Sequence, residues 1–241
     1  MEFYKIRHRK VGLTVAIMIG VQFMWALWAM RHMDVHKLSQ GWMYSIYSFS
    51  QLNCIMMPIV IGVIASRLSD IEHKGNTIKL LKTIISDNKI FMAKFLCGEF
   101  YMIIIAILQV GIIIFFAKLK GFSGNFPIGY ISYYTLIINL TLLLLQLIFS
   151  LIFINQMIGL VIAIGGALLG LFSLFFSKTI ARLVLWGYYG LLSPVKMDWD
   201  IKTRIVNLYW ISIPLTEFAI LIGIFILLYI AGKEIFKRKE I

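Results

Sequence analysis

Residues 65–94 read ASRLSDIEHKGNTIKLLKTIISDNKIFMAK, the one long polar interruption in a chain that is otherwise mostly hydrocarbon. Arg67, Asp70, Glu72, His73, Lys74, Lys79, Lys82, Asp87, Lys89 and Lys94 lie within it. Ile78, Leu80, Leu81, Ile84 and Ile85 recur among those charges at helical spacing. The pattern predicts a short amphipathic helix bracketed by charge and hung between two apolar segments. A helix of that kind at a membrane edge is a docking surface for a soluble partner.

Working outward, the flanking runs decide the class. Val11–Met30, Trp42–Ala65, Phe95–Ala117, Ile131–Ile154, Gln156–Phe176 and Ile211–Gly232 are apolar. Each has roughly the 17–25 residues that a spanning helix needs. Glu99 and Glu217 are the charges they contain. Helices are required, because lipid offers no partner for an open strand's backbone groups. The chain has 241 residues, 61% hydrophobic and 14% charged, against about 25% charged in a soluble domain. It is therefore expected to be a single all-α integral membrane domain over residues 1–241, with about six transmembrane helices.

The net charge of +12 does not point to nucleic acid, since the basic residues gather at the ends of apolar runs. Lys5, Arg7, Arg9 and Lys10 precede the first span, and Lys233, Lys237, Arg238 and Lys239 follow the last. The positive-inside rule then places both termini and residues 65–94 in the cytoplasm. No A-x-A-like site follows the basic start, so the first span is expected to be retained.

Two places test the topology. Spans four and five meet at Asn155-Gln156 almost without a linker, and one bent unit there would change the parity. The segment 177–210 falls outside the membrane, and its apolar middle, Ile180–Leu192, is too short to span. It suits a re-entrant or interfacial helix ended by Ser193-Pro194, with Trp199, Tyr209 and Trp210 as interfacial belt residues.

Inside the spans, Gly159, Ala163, Gly166 and Gly170 form one small-residue face that admits a close helix neighbour, from this chain or another. Glu217, three residues after Pro214, either contacts substrate or faces water in an outer vestibule. Gln22, Gln51, Asn53, Gln109, Asn139 and Gln146 are expected to bond between helices. His32 and His36 have metal-like spacing, but on a short basic loop solvated side chains are the commoner outcome. Cys54 and Cys97 lack C-x-x-C spacing and read as buried thiols. G-x-x-x-x-G-K-[ST], H-E-x-x-H and G-x-S-x-G are all missing, which argues against an enzyme.

The stretch E-H-K-G-N-T-I-K-L-L from Glu72, with Lys94 at the next span, resembles the segment after the second span of ABC-2 type ABC transporter permeases. Span count, basic start and the long segment before the last span agree with that family along the whole chain. Glu72, Gly75-Asn76, Lys79-Leu80-Leu81 and Lys94 look most like the lantibiotic-protection branch. The resemblance implies a type V exporter-like permease of a bacterial plasma membrane, without ATPase activity or cofactor of its own. ATP and Mg would sit on a cytoplasmic ABC ATPase, present in two copies. A second permease, identical or sister, would complete the transporter, whose family dimer contact involves spans one and five. Carried over by position, the coupling residues are Glu72, Gly75, Asn76, Thr77, Lys79, Leu80 and Leu81. The implied cargo is a hydrophobic peptide antibiotic, expelled as immunity. Two departures stand against that branch: Ile78 replaces an aromatic residue, and Ile84-Ile85 stands where a Pro is usual. An exporter of another hydrophobic or lipid-like substrate, and a non-transporting sensor or assembly protein, are the alternatives.

Overall fold

Hydrophobic runs set where helices cross, but backbone hydrogen bonding carries a helix onward wherever no residue stops it. In the computed structural model, which describes residues 10–31, 33–75, 82–122, 128–153, 155–199 and 206–238, several helices outrun their apolar cores. They are α1 (Val11–Arg31), α2 (Val35–Ser39), α3 (Gly41–Gly75), α4 (Asp87–Lys120), α5 (Ile128–Ile152) and α6 (Gln156–Phe172). The short α7 (Lys178–Ala181) and α8 (Tyr188–Leu191), strands β1 (Val195–Trp199) and β2 (Val206–Trp210), and α9 (Leu215–Arg238) follow. Among the described residues α1, α3, α4, α5, α6 and α9 are long and apolar enough to cross a membrane.

The polar interruption is largely absorbed by its neighbours. Helix α3 continues past Ala65 through Arg67 and Asp70 to Gly75, and α4 begins at Asp87, well ahead of Phe95. Asp87 in the first turn of α4 complements the positive end of its dipole. At the far end Gly121 closes α4 at φ +66, a left-handed backbone that glycine adopts without strain.

Asn155 separates spans four and five. Its side chain accepts a hydrogen bond from the Met157 backbone N–H at 3.0 Å, capping α6. A Cβ added at Gly159 would meet Ser150 Oγ at 3.2 Å, so α5 and α6 touch beside the break. Two spans stand there, and the parity of six holds.

The expected helix over Ile180–Leu192 is broken instead into α7, a 3-10 turn at Leu185–Gly187, and α8. Its packing explains the break: the turn brings Trp186 down onto Gly166 and Gly170 of α6. Beyond it β1 and β2 pair antiparallel, with Val195 opposite Trp210 and Trp199 opposite Val206. This two-stranded hairpin, in a mostly helical chain, was not anticipated, although V-K-M-D-W has the period-two alternation of a strand.

Helices α3 and α5 form the centre, with 72% and 67% of their most apolar windows buried against 17% for α9. An amide knot fixes the middle of the bundle. Gln109 Nε2 of α4 donates to Asn53 Oδ1 of α3 at 2.9 Å and to Gln22 Oε1 of α1 at 3.1 Å. Leu13, Ile17 and Met24 of α1, Val161 and Leu168 of α6, and Leu227 and Ile230 of α9 face outward. Lipid or a neighbouring span is the medium that suits such faces.

Candidate functional site

Chemistry concentrates at the two ends of the bundle. At the end where α3 finishes and α4 begins, Lys94 is fully buried and donates to the Leu68 carbonyl at 2.6 Å. Lys82, just before α4, donates to the Phe236 carbonyl of α9 at 3.0 Å and lies 5.1 Å from the Phe236 ring centroid. Asp87 is 3.8 Å from the same amine. An aromatic seam of Phe91 and Phe95 against Phe225, Tyr229 and Phe236 continues this contact along α4 and α9. The return limb of the polar segment is thus fastened to three helices at once.

Of the coupling residues read from the sequence, Glu72 and Gly75 fall in the last turn of α3. Asn76, Thr77, Lys79, Leu80 and Leu81 lie outside the described residues. Glu99 sits half-exposed on α4.

The small-residue face of α6 is covered inside the chain. Ala163 packs on Gly62 of α3, Gly166 on the Trp186 ring, and a Cβ at Gly170 would meet the Trp186 carbonyl oxygen at 2.8 Å. Gly159 faces Ser150.

At the hairpin end Glu217 opens α9 and is 1% exposed. Arg182 Nη2 donates to its Oε1 at 2.8 Å, and Lys178 Nζ lies 3.3 Å from the same oxygen. The carboxylate therefore pins α7 to α9 and does not face an open vestibule.

The vestibule lies beside it. A cavity of about 660 Å³ is walled by Trp25, Tyr44, Tyr47 and Gln51 of α1 and α3, and by Met197, Val206 and Leu208 of the hairpin. Asp34, His36, Lys37 and Gln40 also border it. Gln40 Oε1 accepts the Leu208 N–H at 3.2 Å, and Tyr47 Oη donates to Met197 Sδ at 3.4 Å, which holds the hairpin over α3. A second cavity of about 160 Å³ lies against it across Tyr47, Gln51 and Met197, with Ser50, Ser193 and Lys196 in its wall. Burial pushes the Lys196 ammonium below its ordinary pKa, and the Lys178 charge adds to that, while Glu217 works the other way.

Residues 1–170 match the family described as ABC-2 family transporter protein. The chain belongs to that family. No curated protein and no solved structure matches it. It is the membrane permease of an ABC-2 transporter, a multi-pass, non-catalytic transport subunit, and an ABC ATPase partner is implied. Permeases of this family typically carry no cofactor. Among the permease's described residues no group of three His, Cys, Asp or Glu side chains is placed to hold a metal, and His32 lies outside them. The matched region ends at Gly170, so Glu217, Lys196 and the hairpin lie beyond it.

Sequence reasoning offered an outer vestibule only beside Glu217 and missed the residues that line the cavity. Tyr44, Tyr47, Gln40 and Lys196 are ordinary residues in isolation, and only their meeting across α3 and the hairpin makes a cavity. Alternation in V-K-M-D-W and V-N-L-Y-W was the available signal.

Proposed function

We propose that the permease exports, or expels from the membrane, a lantibiotic-like peptide antibiotic, as an immunity subunit of a bacterial plasma membrane. Two copies of a cytoplasmic ABC ATPase drive it, and a second permease, identical or sister, completes the pathway. Both termini and residues 65–94 face the cytoplasm, and the hairpin end faces outward, in keeping with the basic residues that flank the first and last spans. Glu72, Gly75, Asn76, Thr77, Lys79, Leu80 and Leu81 dock on the ATPase.

The observation that carries the coupling role is the fastening of that segment's return. Lys82 and Lys94 bond carbonyl groups of α9 and α3, so a displacement at the docking segment reaches three helices together. Closure of the ATPase dimer then biases the spans between two packings. The peptide cargo is supported by the wording Glu72, Gly75-Asn76, Lys79-Leu80-Leu81 and Lys94. Glu217, bonded to α7, takes part in the outer end of the substrate path by holding that segment closed.

Glu72→Ala and Gly75→Trp test the coupling in cells that make the permease with its ATPase. Both variants are expected to insert at the wild-type level and lose at least about tenfold of the protection against a lantibiotic panel, a loss of roughly 1.4 kcal/mol in coupling. Wild-type protection from both would overturn the assignment. A wild-type transporter that protects against no lantibiotic overturns the cargo alone.

A further inference from the structure

The two cavities at the hairpin end are neighbours, since Tyr47, Gln51 and Met197 border both. At about 660 Å³ the outer part lies within the roughly 300–1,000 Å³ of ordinary small-molecule sites. Its lining is mixed: Asp34, His36, Lys37, Gln40, Ser48 and Gln51 are polar or charged, and the other walls, from Trp25 and Tyr44 to Val206 and Leu208, are aromatic or aliphatic.

Lys196 is the unusual group. Its ammonium has three donors, and among the described residues it donates to the Gly190 carbonyl at 2.7 Å. Among the described residues no carboxylate lies within ion-pair distance of it, and Glu217 is already held by Arg182 and Lys178. A partly buried cation with no carboxylate at ion-pair distance among the described residues is costly, and an anion entering the cavity would add to the weaker support that Glu217 gives it from farther away. At the mouth Lys37 adds a second positive charge. Its pairing with Asp34 spans 3.7 Å between side chains 41% and 81% exposed, so it is weak. Trp199, Tyr209 and Trp210 on the same hairpin are exposed, as residues at headgroup depth are.

We propose that the two adjoining cavities together bind a lipid-like amphiphile with one anionic head, the head beside Lys196 and the chain along Trp25, Tyr44 and Leu208. This site stands whether or not the exported cargo is a peptide. Phosphate and carboxylate heads share the required chemistry, and a free anion would share the head without the chain.

Native mass spectrometry of the full chain in dodecyl maltoside, a neutral amphiphile in large excess, tests this with dodecyl phosphate as the probe. The expected result is one dodecyl phosphate per chain. Lys196→Gln should weaken it about tenfold, as a lost charge-assisted hydrogen bond does, and Lys196→Arg should restore it. Inorganic phosphate at equal concentration should not displace it. Because Lys196→Gln alters a partly buried site, Val206→Trp provides an independent arm: it fills the outer cavity with Lys196 intact and should also cost about tenfold. No binding by the wild-type chain, wild-type binding by folded Lys196→Gln or by Val206→Trp, or displacement by inorganic phosphate overturns the proposal.

Discussion

The amide knot of Gln22, Asn53 and Gln109 and the charged knot of Lys178, Arg182 and Glu217 both tie together elements distant in sequence. They differ in their access to water. Gln22 is 0% exposed, and Asn53 and Gln109 are 4% each. Lys178 and Arg182 keep 69% and 35% of their side-chain exposure around a buried Glu217. Neutral amides in a bundle's middle bond mainly to one another, here with Met57 Sδ as a further acceptor at 3.6 Å, so they hold one arrangement. Cations with a route to solvent are rehydrated when their carboxylate is removed, so the charged knot loses less when it is broken at Glu217.

Breaking the amide knot should therefore cost most. Gln109→Leu removes the group that bonds both partners and leaves two buried amides under-satisfied, at about 2 kcal/mol, near the upper end for such contacts in membranes. The midpoint of unfolding in mixed detergent micelles measures it. Replacing Gln22, Asn53 and Gln109 by Leu together should cost less than that single change, because no polar atom is then left behind. A triple variant less stable than Gln109→Leu would contradict the account.

The charged knot should respond more mildly. Glu217→Gln still accepts a hydrogen bond from Arg182 and frees two cations that reach water, so about 1 kcal/mol is expected in the same unfolding measurement. Protection of α7 from hydrogen exchange should fall with it, and unchanged protection would mean that α7 is held by packing alone. Lys178→Gln comes last, at a few tenths of a kcal/mol, and its effect should shrink as salt is raised because that amine is mostly exposed. A salt-independent cost would place Lys178 in the dry part of the knot.

Much of this was readable beforehand. The interhelical role of Gln22, Asn53 and Gln109 follows from the cost of amides in lipid, and Glu217 stood out as an ionisable residue in an apolar run. Its partners did not, because Arg182 lies 35 residues away on a segment that looked like continuous helix. The small residues of α6 were legible as a packing face, while their neighbour Trp186 was not. The hairpin was hidden because its aromatic residues read equally well as an interfacial belt, and period-two alternation over five residues competes poorly with the surrounding apolar runs.

Six spans, their alternating direction, the charged flanks and the polar stretch between α3 and α4 were determined by the sequence itself. Each rests on local composition: transfer free energy selects a span residue by residue, whatever lies beside it. Only the tertiary structure decided which faces are covered, that Lys82 and Lys94 fasten the start of α4 to α9 and α3, and that α3 and the hairpin enclose a cavity. Those outcomes depend on side chains far apart in the chain, as with Tyr47 and Met197, which are 150 residues apart. Local hydropathy carries no information about such pairings.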